Sequence, residues 1–274
     1  MQYQGGKSRI AKNISEVIIN EVSRMRYQGG KSRISQQIAD IITSNSRYHN
    51  FAEISNNSNT FVSLFCGSCA VEVKLANSFN KVVCNDNHKY LIALYKALQN
   101  GYNPPAYITE EEYKRARSNI NNELPEYVGF IGFGSSFGGK WFGGYGKSKK
   151  PNGEIRWHSE ETKRALERDM KYLMNVEFTC LDYKDVEIPK GSVVYADPPY
   201  ANTTTYQGQK FDTNEFWNYM REISKDNKVF ISEQNAPDDF ECIWEKPFTR
   251  TLDRNKNNQF KVTEKLFTYK NSNL

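Results

Sequence analysis

Between residues 61 and 101 the chain twice passes from a short apolar, β-prone run into a helical one, and this alternation restricts the fold more than any other feature. FVSLF (61–65) leads through Cys66-Gly67-Ser68-Cys69 into AVEVKLANSF. KVVCND (81–86) leads into HKYLIALYKALQNG (88–101), where Leu91, Leu94, Tyr95 and Leu98 share one helical face and Gly101 stops the helix. The same order returns with VEFTCLDY (176–183), GSVVYADPPY (191–200), a helix over 211–226 and a strand in NKVFISEQNAP (227–237). Strands alternating with helices predict an α/β domain with a mostly parallel sheet. IWEKPF and EKLFTYK, parted by DRNKNNQ (253–259), predict a long terminal hairpin.

The pattern breaks from about 102 to 175, where GFIGFGSSFGGKWFGGYGKSKK (129–150) precedes a charged helix, SEETKRALERDMKYLM (159–174). So many glycines among aromatics and lysines make a poor packed core, which leaves two readings: a flexible loop, or a surface for nucleic acid. Net charge of +5 permits a polyanionic partner without demanding one. No run of eighteen apolar residues exists and the N-terminus lacks a secretory apolar core, so the expected location is the cytoplasm, without a membrane span. Of the five cysteines, Cys66, Cys69, Cys84 and Cys180 fall in or beside apolar runs and are expected as reduced thiols in a core. Cys66 and Cys69 form a lone C-x-x-C with no second pair at zinc spacing, and no metal is expected.

Asp197-Pro198-Pro199-Tyr200 follows the apolar run SVVYA, at the carboxyl end of a predicted strand where open α/β sheets gather ligands. Two prolines cannot continue a helix or a ladder, so they hold the flanking Asp and Tyr in a stiff turn. The Asp197 carboxylate and the Pro198 carbonyl make two acceptors for one amino group, beside an aromatic ring. Phe65-Cys66-Gly67 ends the first strand and lets backbone approach a ligand. Asp86 ends the next, about twenty residues on, where an acid grips ribose hydroxyls in dinucleotide-binding folds.

With these residues in this order, the chain resembles the Dam-type DNA adenine-N6 methyltransferases of bacteria and their phages. Y-x-G-G-K, FVSLFCGS, the Asn-Asp pair at 85–86 and DPPY resemble motifs of that family over nearly the whole chain. The resemblance implies a Rossmann-like methyltransferase fold with a mixed, mostly parallel sheet: residues 1–101 and 176–274 form the catalytic domain, and 102–175 an inserted target-recognition domain. It implies S-adenosylmethionine as cofactor, held by Tyr27, Gly30 and Lys31 (or Tyr3 and Lys7), by Phe65, Cys66 and Gly67, by Asp86, and by Asp182 at the adenine. It implies double-stranded DNA as partner, contacted by Lys140, Trp141, Tyr145, Lys147 and Lys149, with Asp197, Pro198, Pro199 and Tyr200 catalytic and a monomer as the working state. The family often has Asp or Glu two residues before the Phe of the glycine turn, and Ser63 stands there instead.

The expected reaction moves a methyl group to N6 of an adenine flipped from the duplex. The rivals are a catalytically weak or inactive DNA-binding protein of the same fold, and a methyltransferase acting on RNA, cytosine-N4 or a protein amide. A phosphate-binding loop is rejected, because the Gly it needs five residues before the Gly of GKS is Met1, Met25 or Trp141. Residues 1–24 and 25–48 carry the N-terminal motif twice, with eleven identities between 1–18 and 25–42. In each copy GGKSRI enters an amphipathic helix, with Ile14, Val17 and Ile18 in the first and Ile38, Ile41 and Ile42 in the second. A single cofactor cleft takes one copy, and the shorter connection to Phe65 favours Lys31.

Overall fold

The computed structural model describes residues 25, 27–47, 59–149, 152–199, 211–251 and 259–270. Tyr3, Lys7, the helix expected from Ile14 to Ile18, Tyr200 and the tip of the terminal hairpin lie outside the described residues. The chain divides into two compact units, residues 36–92 with 175–274, and residues 1–35 with 93–174.

The first of these units is built on a seven-stranded sheet. In chain order its strands are β1 (Thr60–Ser63), β2 (Lys81–Asn85), β5 (Glu177–Thr179), β6 (Val193–Ala196), β7 (Lys228–Glu233), β8 (Phe240–Thr251) and β9 (Gln259–Tyr269); β3 (Lys147–Lys149) and β4 (Ile155–Trp157) belong to the other unit. Their spatial order is β5-β2-β1-β6-β7-β9-β8. Strands β5, β2, β1, β6 and β7 pair in parallel, while β9 runs antiparallel to both β7 and β8. Every residue of β1 and β6 is buried, as a central parallel strand requires when both faces are covered. Val62, Leu64, Val83, Val194, Phe216, Trp217, Met220, Val229 and Ile231 make the core. Pro247 lies inside β8, where its missing N–H does no harm because β8 is the edge strand.

Helix α1 (Ser35–Arg47) buries Ile38 and Ile42 of the apolar face expected of the second repeat, whereas Ile41 is half-buried. The helical stretch expected after the glycine turn shrinks to α2 (Glu72–Leu75), because the chain must already be at Lys81 to start β2. Helix α3 (Lys89–Gln99) ends before Gly101, whose φ of 87° is the left-handed stop predicted for it. The expected strand over 176–183 is formed only at Glu177–Thr179, which leaves Cys180 exposed rather than in the core; Cys66, Cys69 and Cys84 are buried, and none of the five cysteines forms a disulfide.

In the other unit, α4 (Glu110–Ser118) starts with a reciprocal cap between Thr109 and Glu112, and α5 (Pro125–Gly129) runs into one wide π-type turn, Phe130–Gly134. A short hairpin of β3 (Lys147–Lys149) and β4 (Ile155–Trp157) leads into α6 (His158–Leu173). The glycine-rich stretch is therefore no loop at its start: Phe130, Ile131 and Phe133 are fully buried. Glycine is what permits this packing, since bare backbone lets bulky side chains lie against it. A methyl group on Gly132 would stand 2.2 Å from the Trp141 ring, and one on Gly134 2.7 Å from Thr162. The Gly132 carbonyl accepts from both Ser136 Oγ and the Phe142 N–H, so the widened turn leaves it satisfied.

Candidate cofactor and catalytic site

Parallel pairing brings the ends of three strands into one row. Ser63 of β1 is opposite Cys84 of β2 on one side and Tyr195 of β6 on the other. Phe65, Asp86 and Asp197 each stand two residues past that row, so three residues far apart in sequence become neighbours at the carboxyl edge of the sheet. The ladder continues into the loops: the Leu64 N–H donates to the Tyr195 carbonyl at 2.9 Å, and the Cys66 N–H to the Asn85 carbonyl at 2.8 Å.

Asp86 is 7% exposed. Its two carboxylate oxygens accept from the Gly67 N–H at 3.1 Å and the His88 N–H at 2.9 Å. Burial pushes its pKa up to about 6, against the downward pull of those two donors. Gly67 sits at a φ of 46°, a conformation that turns its N–H onto Asp86 and that glycine adopts without cost. The glycine turn and the strand-end acid, predicted as separate features, are thus one hydrogen-bonded unit.

Asn85 is a residue that sequence reading named only as the neighbour of Asp86. Its amide nitrogen donates to the carbonyls of Leu64 and Leu181, both at 3.1 Å. Its oxygen accepts from Thr179 Oγ1 at 2.9 Å and the Leu181 N–H at 3.0 Å. One side chain thereby ties the segments after β1 and β5 to the end of β2. Asp182 follows that clamp and accepts the Lys184 N–H at 3.0 Å, a local turn that leaves its carboxylate on the exposed rim.

Beside these loops Phe65 meets the rings of Tyr183 at 5.3 Å and of Phe211 and Phe216 at 6.1 Å. Tyr183 Oη is buried and finds no hydrogen-bond partner among the described residues. Pro198 is buried, whereas Asp197 and Pro199 are half-buried. The thiols of Cys66 and Cys84 are pushed up by burial and by Cys69, which opposes thiolate chemistry in the turn.

Tyr27, Gly30 and Lys31 belong to the other unit. The turn Tyr27–Gly30 closes with the Gly30 N–H on the Tyr27 carbonyl at 3.0 Å, and Gly29 supplies a φ of 84°. The Tyr27 ring lies 5.1 Å from Phe133, and the Gln28 N–H donates to the Gly139 carbonyl, so the repeated motif packs on the glycine-rich segment. Lys31 is buried. Lys140, Lys147 and Lys149 are exposed, with the Lys147 ammonium 5.2 Å from the Trp157 ring centre. Trp141 and Tyr145 are largely spoken for by packing: Trp141 against Gly132 and Phe133, Tyr145 through a 2.6 Å hydrogen bond to the Ile108 carbonyl.

A mixed sheet in this order, with a glycine turn, a buried acid and an Asp-Pro-Pro loop at the ends of neighbouring parallel strands, defines a Rossmann-like methyltransferase domain. The sequence profile of the D12 class N6 adenine-specific DNA methyltransferases matches residues 27–131 and 134–243, and the chain belongs to that family. A DNA adenine methylase of Serratia marcescens is 27% identical over 147 residues, covering 47% of this chain and 50% of that protein. The chain thus spans about half the length of this curated relative. Among solved structures, an S-adenosylmethionine-dependent methyltransferase from Clostridium acetobutylicum aligns at 8% identity and a TM-score of 0.32, over 95% of this chain and 80% of that one. A tRNA methyltransferase from Aquifex aeolicus aligns at 11% identity and a TM-score of 0.33, over 84% and 67%.

S-adenosylmethionine is the methyl donor that membership of this methyltransferase family implies, and the strand-end residues fit it. Asp86 offers free lone pairs beyond its two backbone bonds, which suits a ribose diol. The rings of Phe65, Tyr183, Phe211 and Phe216 offer an apolar wall for a base, and Tyr183 Oη has a hydrogen bond to give. No helix among the described residues is long and apolar enough to cross a membrane.

Proposed function

We propose that the chain transfers a methyl group from S-adenosylmethionine to the N6 amino group of an adenine flipped out of double-stranded DNA. The observation that carries this reading is the shared row of Phe65, Asp86 and Asp197, which sets acceptors for a nucleoside cofactor beside acceptors for an amino group. Phe65, Cys66 and Gly67 form the turn under the cofactor, Asp86 holds its ribose and Asp182 its adenine. The N-terminal cofactor residues are assigned to Tyr27, Gly30 and Lys31 rather than Tyr3 and Lys7, by the shorter connection to Phe65.

The cofactor supplies a methyl group already activated on a sulfonium sulfur. What the protein must improve is the nucleophile, since adenine's amino lone pair is delocalised into the ring. Asp197 and the Pro198 carbonyl accept the two amino hydrogens and favour the pyramidal nitrogen of the transition state over the planar ground state. Pro198 and Pro199 keep those acceptors from turning away. Flipping the base costs a few kcal/mol, and stacking on Tyr200 returns roughly 1–3 kcal/mol of that. Transfer is direct, so positioning does most of the remaining work.

Residues 102–175 are proposed to recognise the target word, with Lys140, Lys147 and Lys149 on the phosphates and Trp141 and Tyr145 bracing the backbone that carries them. The working state is proposed to be a cytoplasmic monomer that uses no metal. The test is sequencing that detects modified adenines in DNA from cells expressing the protein. N6-methyladenine in one defined word, lost with Asp197→Ala while cofactor binding persists, is the expected result. Unmodified DNA, or equal modification by Asp197→Ala, would refute the assignment.

A further inference from the structure

Glu72 is a carboxyl group without an evident reason to be where it is. It lies in the short α2 segment after the glycine turn, 2% exposed. Ser63 Oγ donates to its Oε1 at 2.6 Å, and the Val71 N–H donates to its Oε2 at 3.1 Å. Ser63 is the last residue of β1, in the row from which Phe65 and Asp197 extend. The serine that stands where an acid was expected therefore holds an acid brought in from nine residues further along the chain.

Among the described residues, the groups facing Glu72 carry no positive charge. On the turn are Cys69 and Val71, on β1 Ser63, on β2 Cys84, and after β6 Asp197. Burial, Cys69 and Asp197 together hold the Glu72 carboxyl well above the usual carboxylate range, overriding the Ser63 bond. A buried acid with no cation is costly to ionise. A ligand that brings a cation makes the ionised form favourable, so binding and proton release become linked.

We propose that Glu72 is the anionic partner of the α-ammonium group on the methionine arm of S-adenosylmethionine, and that it gives up its proton when the cofactor binds. The inference rests on S-adenosylmethionine being the cofactor. The ammonium is the better match of the arm's two cations: it has N–H donors for a carboxylate with two oxygens, whereas the sulfonium has none and must stay free to release its methyl group. Ser63 is a positioning residue, aiming the carboxyl from the strand end.

The test is isothermal titration of the full chain at pH 7 with S-adenosylmethionine, S-adenosylhomocysteine and 5′-methylthioadenosine, each in two buffers of different ionisation enthalpy. The first two ligands carry the ammonium and the third does not. All three carry the ribose, so any proton exchange at Asp86 is common to them. Wild type is expected to release nearly one more proton with the first two than with methylthioadenosine. Glu72→Gln, close in shape, is expected to lower affinity for those two by about ten-fold or more, to abolish the extra release and to leave methylthioadenosine unchanged.

Equal proton release for all three ligands on wild type overturns the inference, and that measurement needs no variant to fold. So does Glu72→Gln binding S-adenosylmethionine as tightly as wild type. A loss confined to S-adenosylmethionine overturns the ammonium assignment in favour of the sulfonium. Failure of wild type to bind any of the three ligands would instead sink the cofactor reading itself, and the inference with it.

Discussion

Asn85 gives the sharpest test of how the site is held together. From the end of β2 its side chain makes four hydrogen bonds, at 2.9–3.1 Å, to the segment after β1 and to the end of β5 and the loop beyond it. Each nets about 0.5–1.5 kcal/mol, and a buried partner left unpaired costs more than the bond was worth. The Leu64 carbonyl, in a fully buried residue, bears that cost most, whereas the half-exposed Leu181 groups can turn to water. Asn85→Ala is therefore expected to lose about 3–4 kcal/mol, near the upper end of ordinary single substitutions.

Urea unfolding followed by tryptophan emission reads this loss. Amide exchange at Leu181, whose N–H donates to Asn85, reads the loosened loop directly. Because the same side chain joins the turn of Phe65 to the segment of Asp182, affinity for S-adenosylhomocysteine is expected to fall as well. Asn85→Asp keeps the oxygen that accepts from Thr179 and Leu181 but points a second oxygen at two carbonyls, so it is expected to be no better than alanine. A loss under about 1 kcal/mol with unchanged exchange at Leu181 would refute the clamp.

Burial pushes the Asp86 pKa up from the ordinary 3.8 to about 6, so folding favours its protonated form. The stability this contributes is fully present below about pH 4 and is lost as pH rises through about 6, a span of roughly 3 kcal/mol. Unfolding free energies at pH 4 and pH 7 should fall more steeply with pH in wild type than in Asp86→Asn, and parallel curves would contradict the shift. Lys31→Ala is expected to weaken cofactor binding more than Lys7→Ala, and titration calorimetry showing the reverse would move the assignment to the first repeat. Replacing Lys140 and Lys147 with alanine is expected to weaken DNA binding and flatten its dependence on salt; an unaltered salt slope would remove both from the interface.

Much of the architecture is local and therefore legible. The runs FVSLF, KVVCN, SVVYA and KVFISE are short, apolar and bounded by turn residues, and all four become strands of the sheet. Gly101 stops α3 and Asp212 caps α7 (Thr213–Ile223), because one residue's conformation or side chain suffices for each. Asp86 and Asp197 are legible for the same reason, as acids at the ends of recognisable strands.

What composition misjudged is the stretch from 129 to 150. Its glycines suggest a chain too loose to pack, yet Gly132 and Gly134 are sites where Trp141 and Thr162 rest on bare backbone. Whether a glycine loosens a segment or admits a ring depends on what lies opposite, and that neighbour is not adjacent in sequence. The grouping of Tyr27–Lys31 with residues 93–174 escapes periodicity for the same reason.

The sequence by itself determined the alternation of strands and helices, the two repeats, and the two acids at strand ends, since each depends on residues within a few positions of one another. Only the tertiary structure decided that Asn85 ties the segments after β1 and β5 to the end of β2, and that Glu72 fills the place beside Ser63. Strand register, which sets Ser63 against Cys84 and Tyr195, is a property of pairing between distant segments, and through it separate motifs become one site.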